Sequence, residues 1–145
     1  MRIAVFSDTH DHFPAVLPER FAGADEIWHL GDVCAPHVLV EFEFLGRPLH
    51  VVQGNCDAYA AWPLDLRLTR EGVDFYLTHI PPGRVPRGVR AVLHGHTHLP
   101  RDEMRGGVRW LNPGSASRPR EGLGPSFAWL EVAAGKLTRW EVTAI

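Results

Sequence analysis

Three apolar runs near the start of the chain each stop abruptly at a polar residue able to do chemistry, and the stops recur at nearly constant spacing. Arg2 to Phe6 runs into Ser7-Asp8-Thr9-His10, Glu26 to Leu30 into Gly31-Asp32, and Leu49 to Gln53 into Gly54-Asn55-Cys56-Asp57. From Asp8 to Asp32 to Asn55 the intervals are 24 and 23 residues, enough for a strand, a crossover helix and two turns. Pro14 to Ala22 reads as a short helix weakened by Pro18. Pro36 to Leu45 reads as a second helix, with Pro36 in its first turn and Gly46 as its stop. The resulting βαβαβ order predicts a parallel sheet. Open α/β sheets bind ligands past the carboxyl ends of their strands, so Asp8, Asp32 and Asn55 are expected on one edge.

The second half is richer in strands. Leu64 to Leu68 and Val73 to Leu77 flank Glu71-Gly72 as a hairpin, and the second arm ends at Thr78-His79, with His79 again 24 residues after Asn55. Val89 to Leu93 is a strand ending at His94-Gly95-His96-Thr97-His98, with His96 a further 17 residues on. Met104 to Leu111 folds around Gly106-Gly107, and Phe127 to Val132 pairs with Lys136 to Val142 around Ala134-Gly135. No linker, repeat or low-complexity segment interrupts residues 1–145, so one α/β domain is expected.

Composition narrows the function classes. With 45% apolar and 22% charged residues, disorder, collagen and coiled coil are excluded. No apolar stretch reaches the ~18 residues a membrane span needs, and Met1 to Phe6 lacks the regions of a signal peptide, so a cytoplasmic protein with no membrane partner is expected. Two cysteines, Cys34 and Cys56, are too few for a disulfide framework. Net charge is -2, yet residues 84–120 hold eight arginines against Asp102 and Glu103, either a solvated basic face or a surface for something anionic. Trp28, Trp62, Trp110, Trp129 and Trp140 are dispersed and read as core. A nucleic-acid partner is therefore not expected. The outlier is histidine, nine in all, the side chain suited to metals and to proton transfer near neutral pH.

Asp8 and His10 are two apart, as are His96 and His98, so in extended backbone each pair projects to one side. Gly31, Gly54 and Gly95 each precede a candidate, where a missing Cβ permits a sharp turn and close approach. Asp8, His10, Asp32, Asn55, His79, His96 and His98 together offer two carboxylates, one amide oxygen and four imidazoles. Such a mixture suits a borderline first-row divalent ion such as Mn, Fe, Zn or Ni, and seven donors exceed one ion's needs. Two ions ~3.5 to 4 Å apart, bridged by one carboxylate, use all seven.

In order and identity, Ser7-Asp8-Thr9-His10, Gly31-Asp32, Gly54-Asn55-Cys56-Asp57, Thr78-His79 and Gly95-His96-Thr97-His98 resemble the motifs of the calcineurin-like metallophosphoesterases. Asn112-Pro113-Gly114-Ser115 through Pro119-Arg120 is similar to a segment of their small bacterial and archaeal single-domain phosphodiesterase branch. The resemblance implies a four-layer α/β/β/α sandwich and two divalent cations, with Mn the expected ion. By that likeness Asp8, His10, Asp32 and His98 hold the first ion, and Asp32, bridging, with Asn55, His79 and His96 holds the second. It further implies hydrolysis of phosphodiesters or activated phosphomonoesters by a metal-bridging hydroxide, with Asp32 and Asn55 catalytic and Asn55 and Cys56 at the small-molecule substrate. The rival reading is a protein-binding scaffold like the retromer subunit of this fold; the presence of all seven ligands favours the enzyme.

Two departures from the family pattern carry expectations. Many members have His where this chain has Cys56, so the general acid is left open, with His12 and His94 as candidate substitutes read in the first place as structural; His29, His37 and His50 are read as structural, and Cys34 as a packed residue. After His79 only 11 residues, Ile80 to Arg90, precede the next strand, and Pro81, Pro82 and Pro86 forbid a continuous helix. One outer layer is then expected to lack its helix, leaving apolar sheet for a second copy of the chain to cover. Arg84, Arg87 and Arg90 lie either at the phosphate site or on solvated surface.

Overall fold

The three apolar runs become parallel strands β1 (Arg2–Phe6), β2 (Glu26–His29) and β3 (Leu49–Val51), paired side by side in that order. A computed structural model describes residues 1–58, 61–121 and 124–145. β2 is buried along its whole length and β1 from Ile3 onward, because both faces of this sheet are covered. Ala4, Phe6 and Ile27 face a helical layer, whereas Ile3, Val5 and Trp28 face a second sheet.

The crossovers are shorter than the sequence pattern suggests. The first holds α1 (Leu17–Phe21), and the second a 3₁₀ turn at Pro36–Leu39 that runs into α2 (Val40–Glu43). Pro18 sits inside the first turn of α1, where its missing N–H has no intrahelical partner to lose. These short helices hold because Leu17, Phe21, Leu39 and Phe42 are buried on the sheet; tertiary packing outweighs helix propensity at this length.

The predicted hairpins form, and their partners build a second sheet. β4 (Asp65–Arg70), β5 (Val73–Thr78), β6 (Ala91–Leu93), β7 (Arg101–Arg105) and β8 (Val108–Asn112) lie in the order β4-β5-β6-β8-β7. The last hairpin, β9 (Ser126–Ala133) and β10 (Lys136–Ala144), returns to the first sheet, where β9 runs antiparallel to β1. Between the sheets Trp28 meets Phe75 edge-on at 5.3 Å, within a core that includes Leu30, Leu77, Leu93 and Leu111.

Among the described residues the layer beyond the second sheet has no helix, as the three prolines require. Its place is taken by the irregular strap 80–90, from which Val85 and Val89 pack on Tyr76, Val92 and Trp110. The Arg101 guanidinium lies 4.9 Å from the Trp110 ring. Val92 and Trp110 are consequently 0% and 8% exposed, so the apolar surface for which a second copy was expected is covered within the chain. Arg90 stands at the amino end of β6, away from His96. Arg87 instead lines, with Arg105 and Trp110, a cavity of about 830 Å³ on this outer face. Among the described residues no helix is long and apolar enough to cross a membrane.

Candidate metal centre

All seven candidate side chains meet at the edge where β1, β2, β3, β5 and β6 end. Asp8, Asp32 and His79 form a buried floor, His10 and His98 are half-buried, and Asn55 and His96 stand at the exposed rim. Around Asp8 Oδ1 lie His98 Nε2 at 3.1 Å, His10 Nε2 at 3.6 Å and His79 Nε2 at 4.0 Å. Asp32 Oδ2 stands 3.3 Å from His79 Nε2 and 3.7 Å from His10 Nε2. Asn55 Oδ1 is 3.0 Å from both His79 Nε2 and His96 Nδ1. Two groups, Asp8–His10–His98 and Asp8–Asp32–His79, each bring their ligand atoms within 4.8 Å of one another.

The backbone is bent to achieve this. Asp8, His10, Asp32, His96 and His98 all have positive φ, between 46° and 66°, a left-handed conformation that costs a residue with a Cβ about 1 to 2 kcal/mol. Such clusters persist where the surroundings over-determine them, characteristically at functional sites. The preceding glycines are required sterically: a Cβ on Gly54 would collide with the Asp32 backbone, and one on Gly95 would collide with Ser7 Oγ and lie 2.7 Å from Asp8 Oδ2.

A second ring of contacts holds the loops. Buried Asp57 accepts hydrogen bonds from the backbone N–H of Asp32, Cys34 and Gly54 at 2.9, 2.7 and 2.8 Å, tying the β2 and β3 loops together. Ser115 and Ser117 each donate to the Asp8 carbonyl at 2.9 Å. The Asn112 amide donates to the Gly95 carbonyl and accepts from Gly114 N–H. These residues sit inside the motifs quoted above, but spacing gave them no role; short polar side chains in loops are the available signal. His29 is buried, accepts from Gly31 N–H at Nδ1 and pairs with Thr9 at Nε2. His94 is also buried, with Nδ1 beside Asn112 and Nε2 beside Arg101. Burial pushes His29 down to about 3 and His94 to about 4, so both rings are neutral supports.

Electrostatics at the floor are unbalanced. Burial would raise the Asp8 carboxyl, but His10, His98, Ser7 and the His79 charge outweigh it and hold the group well below the usual carboxylate range. Burial likewise opposes ionisation of Asp32, which His79 and the Cys56 N–H override. His79 is raised despite its burial, through Asp32, Asp8 and the Leu30 carbonyl, and His98 is raised chiefly by Asp8.

Whether this constellation fits a cation is decided by its hydrogens. His79 Nδ1 donates to the Leu30 carbonyl at 2.8 Å and His98 Nδ1 to the Arg118 carbonyl at 2.6 Å. In the neutral rings, both Nε2 atoms therefore present lone pairs. Those lone pairs face carboxylate and amide oxygens, His10 Nε2 lies 3.1 Å from His98 Nε2, and buried Asp8 Oδ1 has no hydrogen bond at all. Acceptors set against acceptors call for a positive charge among them, carried by protonated rings, toward which His79 and His98 are raised, or by a cation, and nitrogen plus oxygen donors of this kind suit divalent first-row ions. Carbonyl-oriented histidines are also the usual outer support of metal ligands.

A family model for the calcineurin-like phosphoesterase superfamily domain matches residues 1–135. The chain belongs to that superfamily. With this membership the expectation of the calcineurin-like phosphoesterase fold stands, and the family implies divalent metal ions. A probable metallophosphoesterase of Methanothermobacter thermautotrophicus is 38% identical over 64 residues, which span 41% of this chain and only 37% of that relative. The structure of Yfce, a phosphoesterase from E. coli, is 27% identical with a TM-score of 0.77 over 97% of this chain and 98% of its own. Vps29 of Entamoeba histolytica complexed with Zn²⁺ is 24% identical with a TM-score of 0.79, covering 99% of this chain and 97% of that one. At that identity the likeness to Vps29 concerns the fold alone.

Proposed function

We propose that this superfamily member hydrolyses small-molecule phosphodiesters or activated phosphomonoesters with two divalent cations, Mn first among them. Asp8, His10, Asp32 and His98 would hold one cation, and Asp32, Asn55, His79 and His96 the other. The observation that carries this reading is the acceptor-on-acceptor packing at one sheet edge, with buried Asp8 Oδ1 left without a hydrogen bond. When bound, such cations neutralise phosphate oxygens and acidify water.

The chain's own residues supply position and charge, which phosphoryl transfer chiefly needs. Asn55 Oδ1 faces the imidazoles, leaving its exposed NH₂ group to donate to a phosphate oxygen. Exposed Arg120 carries its charge near His98 and would pair with the substrate anion. Cys56 borders Asn55 with Sγ 3.7 Å from Nδ2, at the substrate side of the rim. His96 shares that rim but faces Asn55 Oδ1 through Nδ1 and is assigned to a cation, so esters whose leaving groups depart unprotonated are the favoured substrates.

The test is hydrolysis of a bis-nitrophenyl phosphodiester by chelator-treated protein. Activity is expected to vanish on chelation and to return with Mn²⁺ in excess; turnover that survives chelation overturns the reading. The high fold likeness to Vps29 supports a second reading, a scaffold acting through protein partners. It is favoured if metal binds with no turnover of diesters or monoesters.

A further inference from the structure

The two faces of the His10 ring look onto different chemistry. Nε2 faces the Asp8 and Asp32 carboxylates, whereas Nδ1 lies 3.5 Å from Cys34 Sγ. Cys56 Sγ joins them, and the two sulfurs and a ring nitrogen of His10 lie within 4.8 Å of one another. These are the chain's two cysteines, 22 residues apart in sequence, and neither is among the seven side chains assigned to the hydrolytic cations.

Their meeting is built into the loops. Cys34 has a left-handed backbone, with φ of 66°. Asp57 accepts from the N–H groups of Cys34 and Gly54, and Asp32 accepts from that of Cys56. Cys34 is partly buried and Cys56 exposed, so the cluster is open to an entering ion.

We propose that Cys34 Sγ, Cys56 Sγ and His10 Nδ1 form a site for one thiophilic cation of the Zn(II) or Cd(II) type, separate from the oxygen- and nitrogen-rich centre and sharing only the His10 ring with it. Thiolate and imidazole donors select such ions over Mn and Mg. With metal–sulfur bonds of ~2.3 Å and metal–nitrogen bonds of ~2.0 Å, a tetrahedral centre sets sulfur and nitrogen ligands about 3.5 Å apart, the separation of Cys34 Sγ and His10 Nδ1. The carboxylates of Asp57 and Asp32, which hold the Cys34 and Cys56 backbone, favour a dication in place of two protons: two thiols and M²⁺ give a bis-thiolate complex and release two H⁺. A neutral ring bonded to this ion through Nδ1 carries its proton on Nε2, so filling the thiol site opposes loading of the neighbouring centre.

The experiment uses the whole chain, reduced with a phosphine, freed of metal and titrated with Cd(II) alone. A thiolate-to-cadmium charge-transfer band is expected to saturate at one equivalent on a monomer, with both thiols lost to a thiol reagent. Cys34→Ser and Cys56→Ser, checked for folding by circular dichroism, are each expected to weaken this binding about 100-fold. The absence of a band overturns the proposal, as does one that needs Cys56 alone or forms between two chains. Cadmium NMR of the unaltered chain needs no variant: a resonance in the range of mixed sulfur and nitrogen ligation supports the site, and one in the oxygen range overturns it. None of these readouts involves hydrolysis, so failure here and failure of the phosphoesterase reading are separately visible.

Discussion

The two ends of β2 treat charge in opposite ways. At its amino end Glu26 is nearly buried yet fully partnered: Arg70 Nε donates to it at 2.7 Å, Trp28 Nε1 donates at 2.9 Å, and His50 Nε2 lies at 3.4 Å. At its carboxyl end Asp32 joins Asp8 among imidazole lone pairs, Asp8 Oδ1 has no hydrogen bond, and five of the seven candidate ligands hold left-handed backbone. Both ends are polar, buried and close to the same core. One end serves stability, with every acceptor answered. The other gathers carboxylates and imidazoles beyond what stability needs, an arrangement that a cation would complete.

Substitutions at the two ends should therefore separate activity from stability. At the carboxyl end, Asp32→Asn is expected to lower kcat/KM for a nitrophenyl diester about 1000-fold, roughly 4 kcal/mol of transition-state stabilisation. The thermal midpoint of the metal-free protein should change little. Equal activity would remove Asp32 from the mechanism. At the amino end the pattern should reverse: Arg70→Met leaves Glu26 without its guanidinium and should cost about 2 to 3 kcal/mol in denaturant unfolding, with kcat per folded molecule unchanged. A loss of activity without loss of stability there would erase the contrast.

A third test uses pH. His29 supports the Asp32 loop through Gly31 N–H, and its folded value of about 3 lies below the ordinary 6.5. Between those values the unfolded chain binds the extra proton. Its contribution to stability is thus complete above pH 6.5 and is lost progressively as pH falls toward 3, by about 1.4 kcal/mol per unit. His29→Asn, which retains an acceptor for Gly31, should flatten the unfolding free energy against pH by about one proton; an unchanged slope would remove His29 as its source. The smallest effect is expected at Asp57, which is buried and accepts from three backbone N–H groups. Asp57→Asn should weaken Mn²⁺ binding about tenfold, read as a higher activation constant with kcat at saturating Mn²⁺ retained. A fall in kcat alone would mean that Asp57 does something other than hold the loops.

Much of the carboxyl-end chemistry is legible in the order of the residues alone. Asp8, Asp32, Asn55, His79 and His96 stand out because apolar runs end on them, with a glycine before three of the five. The prolines after His79 likewise specify a layer without a helix. What the pattern does not contain is the identity of neighbours. Leu17–Phe21 and Val40–Glu43 are far shorter than the segments that suggest them, since they persist through contact with Phe6 and Ile27 rather than through their own propensity. The strap's Val85 and Val89 covering Trp110, the return of Ser126–Ala133 to pair with β1, and the meeting of Cys34 with Cys56 have no counterpart in spacing.

Periodicity and abrupt polarity changes follow from local physics: they record which residues leave water and where a strand must stop. By themselves they determined that this chain has parallel strands ending in a set of metal-type donors on one edge. Which surfaces meet was left to tertiary packing, because a buried face is satisfied by many partners and only the summed fit of distant segments selects one. That selection set acceptor against acceptor around Asp8, tied the loops through Asp57 and turned both sides of the His10 ring toward potential ligands.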